Sequence, residues 1–349
     1  ILTSTRLSSR TRLMWMVEKR AFAFRFIHCG RRRRMATAAQ HRVFAPRISR
    51  SSPVTRRAPR VVAARASSAP TSVGAWDLEG CPDGIILKLA RRLEGEWKRL
   101  PNVRDAPCAP ELKSVDAVAP DGDPATRIRI ENLCLQTDAF RKMHLEVAWG
   151  LGGLEVLHCV IYPWAEVSAP IFAADLVAFG GRVTLCIADA SPCAEDLSLP
   201  RQYVDAAAAL RRSMLSKCPA IEPRPLPDWG EAILSPEACV CVGPPKEDFP
   251  DQTQTTAFVG YLEALHAVHL LLATKIGGKY GGGVGARARA QRRFCEKQLL
   301  NDKTKRVLER SMGTGLTDRY MREVLFDVVA TTPTGPDTRV PGLPTGIFL

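Results

Sequence analysis

The stretch HLEVAWGLGGLEVLH, residues 144–158, decides the fold because two strand-like runs flank a glycine-rich turn. Both runs are otherwise apolar, as in buried strands, and the side chains of a strand point alternately to the two faces of its sheet. If the two runs form a hairpin with GLGG, residues 150–153, as a symmetric turn, His144 lies opposite His158 and Glu146 lies opposite Val156. The alternation then puts both histidines and the glutamate on one face, where two imidazoles and a carboxylate converge.

Three chemical interpretations fit this cluster of His144, Glu146 and His158. The side chains could be satisfied polar groups on a half-exposed sheet face. Two histidines and a carboxylate could also hold a non-haem iron with open coordination positions. Alternatively, they could deliver protons to a substrate that lies across the sheet, since imidazole titrates near neutral pH. The pattern alone does not choose among these three.

The rest of the body predicts one sheet between helical layers. Short loops rich in Gly, Pro, Asp and Asn join strand-like segments, which favours an antiparallel meander. These segments are 126–136, 140–149, 154–163, 171–179 and 182–190. Helical periodicity precedes and follows the strands, at 81–100, 203–217, 255–276, 286–312 and 318–326. Helices on both sides of the strand block in sequence predict an α/β fold in which the sheet is covered on both faces.

The charge of +13 is concentrated at the start of the 349-residue chain. Residues 1–75 hold seventeen Lys/Arg and the single acid Glu18, whereas residues 76–349 hold 32 basic and 35 acidic residues. A basic N-terminal segment rich in Arg, Ser and Ala is typical of an organelle transit peptide. Its prolines favour targeting to a plastid rather than to a mitochondrion. The alternative is a basic tail that binds nucleic acid.

These features predict three regions of the chain. Residues 1–72 are a disordered plastid transit peptide, residues 73–330 are the folded domain, and residues 331–349 are a disordered tail. Because the chain opens at Ile1, residues 1–34 are a candidate for untranslated sequence upstream of a start at Met35. The predicted location of the mature protein is the chloroplast stroma.

Several common site types lack their motifs in this sequence. The eleven cysteines include no C-x-x-C pair, which argues against zinc ribbons and ferredoxin-like clusters. The glycine run at 277–285 lacks the spacing of a phosphate loop. No apolar run is expected to reach the length of a membrane span, and His266 and His269 are expected on a helix surface or partly buried.

The chain resembles the ferredoxin-dependent bilin reductases in several long motifs that occur in the same order. The motifs cover residues 76–329 and include RKMHLEVA (141–148), LEVLHCVIYP (154–163), APIFAADLVA (169–178), IADASP (187–192), PLPDWGEAILS (225–235), QLLNDKTKRVLE (298–309) and YMREVLFD (320–327). The resemblance implies a three-layer α/β/α sandwich around a central antiparallel sheet. It also implies that biliverdin is held between the sheet and the C-terminal helices, with no bound metal or flavin. The resemblance further implies that electrons come singly from a reduced plant-type ferredoxin with a two-iron, two-sulfur cluster.

The resemblance assigns roles to residues of this chain. Catalytic proton donors are expected at His144, Glu146, His158 and Asp175, where the Ala173-Ala174 pair before the aspartate departs from the family's frequent glycine. Substrate-binding residues are expected at Asn301, Asp302, Lys303 and, for a second propionate, Arg224. The imidazole at position 158 resembles the branch that forms phycocyanobilin by a four-electron reduction. Alternatives are a phytochromobilin- or phycoerythrobilin-forming member, the iron oxygenase, or a bilin- or haem-carrying protein without turnover.

A basic helix face is the candidate docking surface for ferredoxin. Arg289, Arg292 and Arg293 are the proposed contacts, within a stripe that also includes Arg287 and Lys297. Ferredoxins are strongly acidic, and a positive patch would steer them to a body that is otherwise nearly neutral. The alternative is an ordinary solvated helix face. Expected partners are ferredoxin and biliverdin, with haem oxygenase or a bilin acceptor protein as further candidates, and no nucleic acid or membrane.

Overall fold

The computed structural model describes residues 60–61, 73–219, 221–244, 251–273, 275 and 280–327. The predicted transit peptide and C-terminal tail lie outside these residues, apart from Arg60–Val61, which forms a strand and is an exception to the expected disorder of residues 1–72. The elements in chain order are β1 (Arg60–Val61), α1 (Ile85–Trp97), β2 (Arg104–Asp105), α2 (Pro110–Lys113), β3 (Ser114–Val118), β4 (Ile128–Gln136), β5 (Phe140–Gly150), β6 (Leu154–Pro163), β7 (Ile171–Phe179), β8 (Arg182–Ser191), α3 (Arg201–Lys217), α4 (Asp228–Glu231), β9 (Val240–Val242), α5 (Asp251–Leu272), α6 (Val284–Gln298) and α7 (Asp302–Tyr320).

The strands of the described residues form one antiparallel sheet in the order β1-β3-β4-β5-β6-β7-β8-β9, with β2 paired to β4. The five strands β4 to β8 follow one another in sequence and in space, so the predicted meander is confirmed. The strands that the sequence did not predict are β1, β2, β3 and β9, and each has two to five residues. Segments this short carry too few alternating positions to show a strand period.

Helices cover both faces of the sheet, which confirms the three-layer α/β/α sandwich. On one face, α1 and α5 bury Leu89, Trp97 and Phe258 against strand residues such as Leu145. On the opposite face, α6 and α7 bury Phe294 and other apolar residues against alternate positions of the same strands. Each large apolar side chain buried in this way stabilises the fold by about 1.5–3 kcal/mol.

The central hairpin has a register two residues away from the predicted one. Gly150 pairs with Leu154, which leaves residues 151–153 as a three-residue loop. Gly150 has a φ of 124°, and a Cβ at this position would lie 2.2 Å from the carbonyl oxygen of Arg127. Only glycine allows β4 to approach this closely, so residue 150 remains in the strand and the loop is centred on Gly152.

The corrected register changes which residues face each other but not which face they occupy. Glu146 lies opposite His158, and His144 lies opposite Val160. The predicted pairing of His144 with His158 is therefore wrong. A shift of two residues preserves the alternation of side chains, so His144, Glu146 and His158 still share one face, as predicted.

The predicted helix at 286–312 is two helices. Helix α6 ends at Gln298, and α7 begins after Asn301, whose side-chain oxygen accepts a hydrogen bond from the Thr304 N–H. Helix α7 also breaks at Gly313, where φ is 69° and ψ is 167°. Lys305 Nζ consequently lies 2.8 Å from Asp318 Oδ1, although thirteen residues of straight helix would rise about 20 Å. The second part of α7 therefore turns back beside the first.

Helix α5 contains the one stretch of the described residues, Thr253–Leu272, that is long and apolar enough to cross a membrane by length and composition. The expectation that no apolar run reaches this length is therefore wrong. In this fold the helix packs on α3 and the sheet, with Phe258, Leu262 and Leu265 fully buried. A core helix of a soluble protein passes the same test, because it is apolar on the faces that it buries.

Candidate active site

Four polar residues form a row across the middle of the sheet, on the face covered by α6 and α7. Cross-strand pairing places them side by side from β4 to β7, in the order Asn132, Glu146, His158 and Asp175. Directly paired residues of neighbouring strands share a face, so all four side chains point toward the C-terminal helices. His144 lies on the same face, two residues from Glu146 along β5. The structure thus brings together all four predicted proton donors.

The C-terminal end of α7 and the residues that follow it close over this row. The hydroxyl group of Tyr320 lies 2.5 Å from Glu146 Oε2 and 2.8 Å from Asn132 Oδ1. His144 Nε2 lies 2.8 Å from the same Asn132 oxygen. The ring of Phe326 meets the imidazole of His158 edge-on, with 6.2 Å between the ring centroids. Glu146, Tyr320, Asn132 and His144 therefore form one continuous hydrogen-bonded chain.

The hydroxyl group of Tyr320 lies between two oxygen atoms, those of Glu146 and Asn132. The amide nitrogen of Asn132 donates to the Leu112 carbonyl at 2.9 Å, so its oxygen is the atom that faces Tyr320 and can only accept. The single hydroxyl hydrogen of Tyr320 therefore serves two contacts, of which the one to Glu146 Oε2 is the shorter. Burial raises the pKa of Glu146 and so favours its neutral form, whereas the hydrogen bond from Tyr320 acts in the opposite direction.

The pKa values of the two imidazoles of the site are shifted in opposite directions. His158 Nδ1 lies 2.6 Å from Asp175 Oδ1. Burial lowers the pKa of His158, but the charge and hydrogen bond of Asp175, together with Glu146, raise it overall. The pKa of His144 lies well below its usual range because of burial first and the positive charge of Lys142 second. The surroundings therefore favour a proton on His158, which is hydrogen bonded to Asp175, and favour the neutral form of His144.

Each histidine of the site has one ring nitrogen that makes no hydrogen bond to the described residues. His144 Nδ1 and His158 Nε2 are buried and have no hydrogen-bond partner among the described residues, and their rings lie 5.8 Å apart. Buried polar atoms in folded proteins nearly always have partners. The neutral His144, which donates from Nε2 to Asn132, offers an acceptor at Nδ1, and a protonated His158 offers a donor at Nε2. A ligand with an N–H and a carbonyl group would satisfy both.

The geometry does not favour the iron interpretation. Glu146 is hydrogen bonded to Tyr320, and His144 and His158 are hydrogen bonded to different partners. Within the described ranges, no group of three or more His, Cys, Asp or Glu side chains is arranged to hold a metal ion. The cluster is built as a hydrogen-bonded network rather than as ligands around one point.

The predicted substrate-binding residues lie outside this network. Asn301 caps α7, and Asp302 forms an exposed ion pair with Arg306 at 2.8 Å. Lys303 is exposed on the first turn of the same helix. Among the described residues, no hydrogen bond or ion pair joins these three to the row. Arg224 is exposed, and its backbone N–H bonds the Cys241 carbonyl at the β9 end of the row, two strands beyond Asp175.

The predicted docking arginines differ in exposure. Arg289 is exposed, and Arg292 is half-buried. Arg293 is half-buried and donates to the Ala194 carbonyl at 2.9 Å. Arg287, a member of the predicted stripe, is buried and donates to the carbonyls of Ala165, Glu166 and Tyr280. Its side chain connects loop carbonyls to α6 and is not part of a solvated face. The exposed basic stripe therefore excludes Arg287, which the sequence had included.

Three residues of the site were not identified from the sequence. Asn132 occupies an even position in the strand IRIENLCLQ, and Tyr320 and Phe326 lie in the motif YMREVLFD. Asn132 could have been found as a polar residue on the inner face of a buried strand. The sequence offers no signal for the contact between Tyr320 and Glu146, because 174 residues separate them.

Comparisons with known proteins agree with this architecture. The sequence model of the ferredoxin-dependent bilin reductase family matches residues 90–327. Phycocyanobilin:ferredoxin oxidoreductase of Synechococcus elongatus is 33% identical over 247 residues, which are 70% of this chain and 93% of the relative. The enzyme of that name from Trichodesmium erythraeum is 32% identical over 260 residues, or 74% of this chain and 98% of the relative.

A solved structure shares the fold at lower identity. Phytochromobilin synthase from tomato, crystallised in complex with biliverdin, superposes with a TM-score of 0.55 and 16% identity. The superposition covers 72% of this chain and 84% of the tomato chain. The family match extends over more than half of the sequence and includes the polar row from Asn132 to Asp175. The chain therefore belongs to the ferredoxin-dependent bilin reductase family.

Proposed function

We propose that this protein reduces biliverdin to phycocyanobilin, with four electrons from a reduced two-iron, two-sulfur ferredoxin and four protons from its own side chains. The observation that carries the proposal is the pairing of two different acids on one sheet face. Burial raises the pKa of Glu146, which favours a neutral carboxylic acid, and His158 next to it has a raised pKa and is hydrogen bonded to Asp175. The names of the two cyanobacterial relatives support the product.

The His158–Asp175 pair is suited to the first protonation. Biliverdin is an extended conjugated tetrapyrrole, and an added electron puts negative charge into its π-system. A proton delivered to a lactam or pyrrole group beforehand makes that electron easier to accept. An isolated carboxyl group with a pKa near 4 is almost fully ionised at neutral pH. In the proposed step the proton comes from the hydrogen bond between Asp175 and His158, whose pKa is raised.

Glu146 is suited to a later protonation. As a neutral acid it can donate to a vinyl group of a terminal ring, where no free electron pair attracts a proton before reduction. After donation, its carboxylate lies against the Tyr320 hydroxyl, which links it to Asn132 and His144. This chain holds the carboxylate and the ring of His144 in place without opening the site to water.

Exposed cations near the site are proposed to hold the pigment's propionates. Lys303 and Arg224 are both exposed, and neither belongs to the row. Arg224 lies at the β9 end of the sheet face, where a carboxylate of a pigment lying along the row would reach it. Asn301 and Asp302 at the start of α7 are the proposed helix-side contacts. Ferredoxin is proposed to dock at Arg289 and Arg292, with Arg293 at the edge of the surface.

The plastid stroma is the proposed location. Support comes from the composition of residues 1–75, which are basic and nearly free of acidic residues. The stroma would supply reduced ferredoxin. Haem oxygenase is a proposed source of the substrate, and a bilin-binding protein is a proposed acceptor of the product.

The proposal is tested by incubating the purified protein anaerobically with biliverdin and reduced ferredoxin and by separating the pigments chromatographically. We expect phycocyanobilin as the final product. A two-electron product, or phytochromobilin or phycoerythrobilin, would keep the family activity and overturn the proposed product. Stoichiometric iron in the purified protein together with no reduction would favour the oxygenase interpretation instead.

A further inference from the structure

Two adjacent cations of β5, Arg141 and Lys142, bind one carboxylate at the end of the described chain. Neighbouring residues in a regular strand point to opposite faces. The pairing of β5 with β6 is irregular between Phe140 and Lys142, and a bulge of this kind lets both side chains reach the same side. Arg141 Nη1 lies 3.1 Å from Asp327 Oδ1, and Lys142 Nζ lies 3.1 Å from Asp327 Oδ2.

The same strand residues hold the backbone that precedes Asp327. Residues 321–325 form a single wide turn, closed by a hydrogen bond from the Phe326 N–H to the Met321 carbonyl. Lys142 Nζ donates to the Val324 carbonyl at 2.6 Å, inside this turn. Lys142 is only 3% exposed, so its charge depends on these acceptors. Burial raises the pKa of Asp327, but the charges of Lys142 and Arg141 lower it overall, which keeps the carboxylate ionised.

The wide turn carries residues that enter the site at both of its ends. Tyr320 precedes the turn and bonds Glu146 and Asn132. Phe326 follows it and packs edge-on against His158. Neither residue is placed by the sheet itself. Their positions depend on how the turn is fixed to the sheet. Tyr162 of β6 donates to the Leu325 carbonyl at 3.2 Å, and the charged contacts are those of Lys142, Arg141 and Asp327.

We infer that Arg141, Lys142 and Asp327 act as positioning residues, which set the Tyr320 hydroxyl against Glu146 and the Phe326 ring against His158. This inference rests on the proposed function. Binding of the pigment depends on the sheet face and the surface cations, whereas proton delivery depends on the exact placement of Glu146 and His158. Loosening the turn should therefore lower kcat much more than it raises KM.

The primary test is the substitution Asp327→Asn, which keeps the size of the side chain but removes the charge shared by Arg141 and Lys142. We expect kcat per pigment-binding site to fall about tenfold or more, the cost of misplacing catalytic groups by a fraction of an ångström. KM for biliverdin should change by less than about threefold, as expected when only transition-state interactions are lost. Asp327→Glu, which restores the charge, should recover part of kcat.

The matched control is Glu323→Gln on the same turn. Glu323 pairs with Arg319 on the solvent side at 3.0 Å, so its loss removes an ion pair without freeing the turn from β5. We expect its kcat to stay within about twofold of the wild type, as for other exposed pairs. The absorption spectrum of bound biliverdin, recorded without ferredoxin, should shift in Asp327→Asn and not in Glu323→Gln.

The outcomes separate this inference from the proposed function. If the wild type reduces biliverdin and Asp327→Asn matches its kcat per binding site, the three residues have only a structural role and the inference is overturned. If Asp327→Asn does not accumulate as folded protein, Lys142→Met is measured in its place under the same criterion. If the wild type itself reduces no bilin, the proposed function fails, and the spectrum of the bound pigment still reports whether the turn positions the site.

Discussion

Each face of the sheet buries a pair of histidines, and the two pairs differ in their surroundings. His266 and His269 lie on α5 against one face, and both are fully buried rather than on the helix surface or partly buried as the sequence indicated. His144 and His158 lie in the strands of the opposite face and are buried almost as completely. Burial alone therefore does not distinguish a catalytic histidine from a packed one.

The helical pair is enclosed by aromatic rings. The centroid of the His269 ring lies 5.4 Å from that of Phe140, and its Nδ1 lies 3.0 Å from the hydroxyl oxygen of Tyr203. Burial, with a smaller effect of His266, lowers the pKa of His269 to about 3. Trp97 Nε1 donates to His266 Nε2 at 2.7 Å. His266 Nδ1 also lies 2.9 Å from Glu96 Oε2. These histidines therefore contact both core aromatic residues and one carboxylate.

The strand pair is embedded in a network of hydrogen-bonded polar side chains. His158 contacts Asp175, and His144 connects through Asn132 and Tyr320 to Glu146. The pKa of His158 is raised by Asp175 despite burial, whereas burial lowers that of His144. The comparison shows that an acidic neighbour does not separate the two pairs, since Glu96 lies 2.9 Å from His266 Nδ1, whereas only the strand pair belongs to a row of polar side chains that crosses four strands.

The largest expected effect comes from Asp175→Asn. The amide keeps the size of the side chain and its hydrogen bond but cannot share an acidic proton with His158. We expect turnover to fall by roughly a hundredfold or more, as for a lost general acid, while the affinity for biliverdin changes little. The absorption band of the protonated pigment should weaken in the complex.

The matched control for this substitution is Asp189→Asn in β8. Asp189 is also fully buried, and burial raises its pKa to about 7, but its bonds are to Ser191 and the Ser235 N–H. We expect activity within about threefold of the wild type, because no proton donor of the row is removed. Near wild-type turnover in Asp175→Asn would make Asp175 structural and move the donor role to His158 or Asp302.

A smaller effect is expected from Tyr320→Phe, which removes the hydroxyl between Glu146 and Asn132. Losing one hydrogen bond to a buried polar group costs about 1–3 kcal/mol, which corresponds to a rate loss of roughly tenfold if the bond is needed in the reaction. Tyr203→Phe is the control on the opposite face, since its hydroxyl also contacts a buried histidine. It should lower the melting temperature and leave kcat within about twofold. Equal losses of kcat in both variants would remove the distinction between the faces.

A few-fold effect is expected from charge reversal on the proposed docking surface. In Arg289→Glu/Arg292→Glu, kcat/KM for ferredoxin should fall at low ionic strength, and the difference from the wild type should shrink at high salt. Arg293 is left in place because it supports the Ala194 carbonyl. The control is Arg212→Glu/Lys217→Glu on α3, which makes the same charge change in the other helical layer. A similar loss in both variants would indicate a general charge effect and no docking at α6.

The sequence predicted the periodic parts of this molecule better than the parts that depend on single residues. The meander and the shared face of His144, Glu146 and His158 follow from alternation, which survives a two-residue error in register. The error itself came from Gly150, whose role depends on a close approach to Arg127 that the sequence does not show. The partner of Glu146 could not be predicted either, because Tyr320 reaches it through a helix break at Gly313 and a turn held by Lys142.

The smallest expected effect concerns the pH dependence of stability and involves the helical pair. The pKa of His269 is about 3 in the folded protein and about 6.5 when exposed. Between these values the unfolded chain binds a proton that the folded chain does not. His269 therefore stabilises the fold fully above pH 6.5, and this contribution is lost as the pH falls, by about 1.4 kcal/mol per pH unit.

The substitution His269→Leu removes this contribution, so the free energy of unfolding of the variant should depend less steeply on pH below 6.5. Urea unfolding at several pH values between 5 and 7.5 measures the two slopes, and turnover at neutral pH should stay within about twofold because His269 lies on the face opposite the row. Equal slopes would mean that His269 is protonated in the folded core, and a large loss of turnover would extend the functional network across the sheet.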